Sequence, residues 1–412
     1  MDVMSPRRVI VVHARYRSAQ PSGENAVVDD ETRLLEEYGC SVERIELRSD
    51  DIAEWPAWRK ATLPVRITWS RAGQSLLQRA IERTRPDVIH IHNTFPLFSP
   101  AVFFTARRSG AGVVHTLHNF RPLCPAGTLL RDGKPCEDCV GRLPVPSVVH
   151  ACYRGSRPAT LPVALMDAVH GRLKTWHRCI DRIIVLSSYV KDKYIAAGWP
   201  EERIRVKYNT IYERDLPARE SGTHFLSLSR LEPAKGVDVL LEAWERAFPE
   251  DGSSLLVAGG GEDYASFVHR YGELARVRFL GQIEQKEAYR TLAQARALIV
   301  PSRWYEGFPR VVAEAYALGV PVVASNIGSL AELVDNRETG LLVKPNDPDD
   351  LARALREVAD SPELALQLGA GARAAYERLY SPEMTMERLL AIYDEAIAES
   401  HARRRANGDL HR

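Results

Sequence analysis

The chain has 412 residues, 45% hydrophobic and 26% charged, with 55 Lys/Arg against 54 Asp/Glu. That balance excludes a disordered or fibrous chain, no apolar run reaches the roughly 18–20 residues of a membrane-spanning helix, and the length exceeds the roughly 250–300 residues a single core supports. The near-neutral total hides an asymmetry: residues 1–219 carry 33 basic against 24 acidic side chains and residues 220–412 carry 22 against 30, which points the N-terminal half toward something anionic, unless it is compositional bias alone.

The first element is RVIVVHA (8–14). It loosely mimics a signal peptide. It is short, contains His13 and lacks a small-residue cleavage site, so it reads as a buried strand of a cytoplasmic protein, with peripheral contact at the inner membrane face as the alternative. SAQPSGENAVVDDE (18–31) is the loop that follows, and VDDETRLLEEYG (28–39) is a crossover helix. DVIHIHN (87–93), GVVHTLHN (112–119) and DRIIVLSS (181–188) repeat the short apolar run. Such runs, separated by longer amphipathic stretches, predict a parallel sheet covered by helices on both faces.

Between the second and third of these lies CPAGTLLRDGKPCEDCVGRLPVPSVVHAC (124–152), an insert of about residues 120–156. Cys124, Cys136, Cys139 and Cys152 are spaced C-x11-C-x2-C-x12-C. Four thiolates at this spacing predict a closed structural zinc site, ahead of unliganded thiols and disulfides. A redox pair needs no further cysteines, and Glu137 and Asp138 inside the knuckle oppose a nucleic-acid ribbon. PATLPVALMDAVHGRLKTWHR (158–178) reads as an amphipathic helix packed on the insert, with a lipid-facing role as the alternative.

The rhythm restarts with HFLSLSRL (224–231), the helix VDVLLEAWERAF (237–248), SLLVAGGGED (254–263), RVRFLGQI (276–283), ARALIVPS (295–302) and VPVVASN (320–326). The expectation is therefore α/β: two Rossmann-like, doubly wound domains at 1–215 and 216–385, with a C-terminal helix and tail at 386–412 packing back on the first. Ligands sit beyond the carboxyl ends of such strands, in the cleft the two domains share.

Candidate chemistry clusters at those ends. Arg230 and Lys235 in SRLEPAKG (229–236) are placed to clamp a diphosphate. Gly259, Gly260 and Gly261 permit close approach of a ring or sugar. In EGFPRVVAE (306–314), Glu306 lies in a strand-to-helix loop and Glu314 about two turns into the helix. Carboxylates accept from hydroxyls and free helix N–H groups donate to them, which suits a polyol. His118 follows a strand, and His92 is a candidate for the acceptor side. Taken singly, each has an ordinary structural reading: a solvated turn, a tight turn, a surface acid pair or a satisfied core histidine.

Together, SRLEPAKG, VAGGGED, FLGQI and PSRWYEGFPRVVAEAYALGVPVVAS resemble the retaining nucleotide-sugar glycosyltransferases of family 4, over about residues 220–385. The resemblance implies the GT-B fold and a UDP- or GDP-sugar donor. It implies that Glu306 contacts the transferred sugar, Glu314 the ribose, and the backbone of Gly307, Phe308 and Pro309 the underside of the sugar. It implies that Arg230 and Lys235 neutralise the diphosphate, that the backbone of Ile283 reads the base, that Gly260 belongs to the donor site and that His118 contacts sugar and diphosphate. The family's glycine-rich first loop is reduced here to Gly23. No Asp-x-Asp appears in the expected context, so no catalytic divalent metal is expected, and closure of the domains would exclude water. A cysteine-bearing insert marks a subset of the family. Sugar-nucleotide epimerisation and non-catalytic nucleotide-sugar binding are the rival functions. The partners implied are a sugar nucleotide and an acceptor hydroxyl, with no nucleic acid; donor, acceptor and oligomeric state are not legible.

Overall fold

The computed structural model describes residues 6–18, 23–220, 222–249, 252–261 and 263–409. The chain divides into two compact units, the first drawn from 1–129, 136–210 and 385–412, the second from 130–135 and 211–384.

The first unit is built on β1 (Arg8–Arg15), β2 (Ser41–Arg48), β3 (Val88–Asn93), β4 (Gly112–Leu117), β5 (Arg182–Val185) and β6 (Ile204–Val206). All six are parallel, in the order β2-β1-β3-β4-β5-β6. Every residue of β3 and β4 is buried, as central strands between two helical layers require. Their polar residues, His90, His92, Asn93, His115 and Thr116, are buried with the rest, as is His13 on β1. Strand order reverses between β1 and β3, which sets a switch point beyond their carboxyl ends.

The long helix Pro382–Asp409 belongs, from Thr385 on, to this first unit. Tyr393 is fully buried, with its hydroxyl 2.8 Å from His90 Nδ1. Glu395 accepts from Arg182 and Arg205, both at 2.7 Å.

The second unit is built on β7 (His224–Leu228), β8 (Leu255–Ala258), β9 (Val277–Gly281), β10 (Ala295–Val300), β11 (Val322–Ser325) and β12 (Gly340–Val343). These are also parallel, in the order β9-β8-β7-β10-β11-β12. The helix Val237–Ala247 turns seven buried residues onto the sheet, where Trp244 lies 4.4 Å from Phe248 and edge-on to Phe225. The order reverses between β7 and β10, so the segments that follow these two strands, SRLEPAKG and PSRWYEGFP, meet at the switch point.

Candidate active site

In the second unit, Gly236 has φ +66°, and a Cβ there would lie 2.0 Å from the Pro301 carbonyl oxygen. Only glycine lets the turn after β7 approach the end of β10 this closely. The contact is locked from the other side. Arg303 N–H donates to the Ala234 carbonyl at 2.9 Å, and its guanidinium donates to Asp238 at 2.8 Å.

The result is a fixed pair, with Lys235 Nζ 2.7 Å from Glu306 Oε1. Ser302 Oγ donates to the same oxygen at 2.8 Å. Glu306 is only 7% exposed. Burial alone would raise its pKa. The adjacent Lys235 ammonium and the hydrogen bonds from Lys235 and Ser302 outweigh burial and hold it below the usual carboxylate value. Glu306 is thus a buried anion at the switch point. Lys235 also lies 5.1 Å from the Trp304 ring centroid.

Glu314 is buried on the helix Arg310–Ala317. Its Oε1 accepts from Arg310 Nε at 2.8 Å and from the Tyr289 hydroxyl at 3.2 Å. Tyr289 in turn accepts from Arg310 Nη2 at 3.1 Å and from Gln285 at 2.6 Å. Gln285, Tyr289 and Arg310 carried no signal in the sequence beyond helical periodicity, yet they orient the second acid. Between the acids, Gly307 accepts from Ser329 Oγ at 2.9 Å. Phe308 is buried edge-on against Tyr380, and Pro309 caps the helix from an extended conformation.

Two expectations take a different form. Arg230 is half exposed and pairs with Glu232 at 3.0 Å, so Lys235 and Arg230 are held by separate carboxylates. The glycine run packs against the chain's own backbone. Gly259 and Gly261 have φ +141° and +147°, where a Cβ would strike the carbonyls of Ser229 and Leu231. Gly260 accepts from Leu231 N–H at 2.8 Å. Ile283 lies half buried in the loop after β9.

In the first unit, His118 follows β4, and its Nε2 lies 3.0 Å from His92 Nδ1 with the rings stacked. His92 Nε2 and His90 Nδ1 lie 3.4 and 3.3 Å from Glu31 Oε1. Lys207 forms a buried ion pair with the other oxygen of Glu31. Burial pushes Glu31 up, but Lys207 and the histidines bring it well below the usual carboxylate range. His118 is pushed well below the ordinary histidine value by burial, then by its histidine neighbours, so it is a neutral imidazole. Burial likewise lowers His13 to about 4, although Asn25 lies 2.9 Å from its Nε2.

Glu24 opens the helix Gly23–Glu37, 4.0 Å from His13, and burial pushes its carboxyl up to about 8. Gly23, the first residue of that helix, faces open space; residues 19–22 of the preceding loop lie outside the described residues. Asp167 is buried with neither oxygen bonded, and burial pushes its pKa well up. It lines a cleft of about 40 Å³ with His118, Asn119, Arg121 and Trp176.

The four-thiolate zinc expectation is not supported. Cys124, Cys136, Cys139 and Cys152 form no disulfide and lie near one another, and burial first, then the neighbouring cysteines, push Cys139 up to about 11. Among the described residues the one triple of candidate ligand atoms within 4.8 Å is Glu31, His90 and His92. Lys207 already neutralises that carboxylate, and Thr116 and Tyr393 lie in hydrogen-bonding range of the two ring nitrogens of His90. The insert's loops are arranged by backbone bonds instead, such as Cys124 N–H to Phe120 and Cys152 N–H to Ser147, both at 2.9 Å.

Two family descriptions match this chain: Glycosyl transferases group 1 over residues 209–375 and Glycosyltransferase Family 4 over residues 27–213. The D-inositol 3-phosphate glycosyltransferase of Nocardioides sp. is 36% identical over 336 residues, covering 76% of this chain and 68% of that protein. This chain belongs to the group 1, family 4 glycosyltransferases. The glycogen synthase of Mycobacterium tuberculosis H37Rv is 30% identical over 340 residues, covering 79% of this glycosyltransferase and 71% of the synthase. Among solved structures, Anabaena HepE in complex with UDP aligns with TM-score 0.63 at 17% identity, covering 93% of this chain and 98% of that one. Sucrose-phosphate synthase from Thermosynechococcus elongatus aligns with TM-score 0.66 at 18% identity, covering 95% and 100%. At these identities the likeness is one of fold, GT-B. Among the described residues no helix is long and apolar enough to cross a membrane.

Proposed function

We propose that this glycosyltransferase moves a sugar from a UDP- or GDP-sugar to an acceptor hydroxyl with retention of anomeric configuration and without a catalytic divalent metal. The observation that carries the proposal is the row at the second unit's switch point. It consists of the Lys235–Glu306 pair at 2.7 Å, the helix N-terminus behind Gly307–Pro309, and Glu314 held at its Oε1 by Arg310 and Tyr289.

The donor's diphosphate engages Lys235, and Arg230 leaves Glu232 to join it, so the departing charge is met by two cations. Glu306 accepts hydrogen bonds from the sugar hydroxyls, and its fixed negative charge stabilises the cationic character that develops at the anomeric carbon. Glu314 accepts from the ribose hydroxyls. As the bond from the anomeric carbon to phosphate breaks, the acceptor oxygen bonds to the same face and its proton passes to the departing diphosphate. His118, kept neutral, is a hydrogen-bonding group at the end of β4 in the first unit. The names of relatives support the reading: HepE has been crystallised with UDP-glucose, which fits a nucleotide-sugar donor, and the D-inositol 3-phosphate glycosyltransferases are named for a polyol phosphate, which fits an acceptor hydroxyl.

The test is transfer from a panel of UDP- and GDP-sugars in EDTA, with nucleoside diphosphate release and the product anomer read by proton NMR. Release with a retained anomer supports the proposal. An inverted product, a strict divalent-metal requirement, or an epimerised donor without acceptor overturns it.

A further inference from the structure

Exposed apolar side chains gather on one part of the first unit. Of the twelve large hydrophobics exposed among the described residues, nine fall within residues 55–81 and 140–180. The two stretches are in contact. The helix Leu63–Arg66 packs on the helix Arg157–Arg172, which also packs on the helix Val145–Val149. Leu63, Ile67, Val163, Met166 and Tyr153 share a small core beneath, and Thr68 accepts from His170 at 2.8 Å.

The inward faces therefore already have partners, and what is exposed lies on the other side. Leu161 and Leu165, four residues apart on one helix, are 57% and 53% exposed; Val145 and Val149, four apart on its neighbour, are 59% and 54% exposed. Residues at this spacing share a face. Val65 and Trp58 are also exposed, at 70% and 72%.

The charge around them is predominantly positive, with exposed Glu54 and Glu82 at the borders. Residues 55–81 and 140–180 contain eleven Lys/Arg and a single acid, Asp167, which is buried. Arg157 and Arg172 bracket Leu161 and Leu165 on the same helix, and both are exposed. Arg59 lies over the Trp55 ring at 4.0 Å, an amphipathic arrangement that leaves its charge at the surface. Exposed aliphatic and indole side chains among which cations far outnumber acids match an interfacial layer in which apolar groups enter the acyl boundary and cations meet anionic headgroups.

We infer that this face of the first unit docks on an anionic lipid bilayer, with Leu161, Leu165, Val145 and Val149 inserted and Arg157 and Arg172 on the headgroups. The inference stands apart from the transfer chemistry, since none of these residues belongs to the donor site.

The test is flotation of the full chain with vesicles of phosphatidylglycerol and phosphatidylcholine at equal parts, against phosphatidylcholine alone. Binding to the anionic vesicles, weakened at least tenfold by 0.5 M salt, is expected. Leu161→Asp with Leu165→Asp should lower the partition at least tenfold, as should Arg157→Glu with Arg172→Glu, while circular dichroism and UDP affinity stay as in the native chain. Absence of flotation, equal flotation of the variants, equal binding to neutral vesicles, or a concentration-dependent dimer that Leu161→Asp abolishes overturns the inference. The last outcome would assign the face to a second copy of the chain.

Discussion

Replacing Lys235 with Met removes the cation but keeps most of the aliphatic stem. In the native chain Lys235 Nζ sits 2.7 Å from a carboxylate that is 7% exposed. At an effective dielectric of about 20, unit charges at that separation attract by roughly 6 kcal/mol. Desolvation of the two ions costs several kcal/mol, so the pair itself contributes little net stability. Breaking it from one side is different, because Glu306 is left buried and unpaired except for Ser302. The expected loss is about 3 kcal/mol, the low end for a buried pair because Lys235 is 17% exposed. Glu306→Gln should cost about as much, while Lys235→Met with Glu306→Gln should recover roughly 2 kcal/mol of the summed losses. The assay is urea denaturation of the four proteins, with turnover measured alongside. Turnover should fall at least about 100-fold in each single variant and should not recover in the double variant, since the transition state needs both charges. Additive stability losses would refute the reasoning that the pair is a mutually dependent unit. Turnover restored in the double variant would show that the two groups serve only structure.

Glu314→Ala should weaken UDP-sugar affinity at least tenfold by calorimetry, and an unchanged affinity would remove its ribose role. His92→Phe removes the partner 3.0 Å from His118; it should lower kcat more than it raises KM and alter the pH profile, whereas a packing role alone would leave that profile unmoved. Glu24, raised by burial to about 8, keeps its proton in the folded chain where the unfolded chain has lost it above about 4.5. Its contribution to stability is present below pH 4.5 and declines as pH rises toward 8. Glu24→Gln should therefore stabilise the first unit progressively with pH, by about 3 kcal/mol more at pH 8 than at pH 5.5, as read from urea midpoints; a difference independent of pH would contradict the buried neutral carboxyl. Elemental analysis should find less than stoichiometric zinc in the folded chain, and one zinc per chain would reinstate the four-thiolate site.

What the sequence disclosed followed from simple periodicity. The central strands β1, β3, β4, β7 and β10 are buried on both faces and so read as apolar runs ending in turns. β2 escaped because it is an edge strand, SVERIELR, with a half-exposed pattern dominated by charge; β12 is only four residues long. Glu306 and Glu314 were legible because the strand, the Gly-Phe-Pro turn and the helix between them are local. Their supports were not. Tyr289 lies 25 residues from Glu314, and Lys235 lies 71 residues from Glu306. The network behind His118 was still less visible, since Glu31 meets Lys207 across 176 residues and His90 meets Tyr393 across 303. Each of these residues looks like an ordinary helix or strand residue until the parallel sheet brings the carboxyl ends of its strands together. The cysteine spacing was legible as proximity, since the four thiols do lie near one another, but among the described residues the one triple of ligand atoms within 4.8 Å is Glu31, His90 and His92.

The most direct measurement is a calorimetric titration of UDP and of GDP into the native chain in EDTA. Binding of one nucleotide, lost on Lys235→Met and weakened by Glu314→Ala, is the predicted result. Binding of neither, or binding that both substitutions leave unchanged, would contradict the assignment of the second unit's switch point as the donor site.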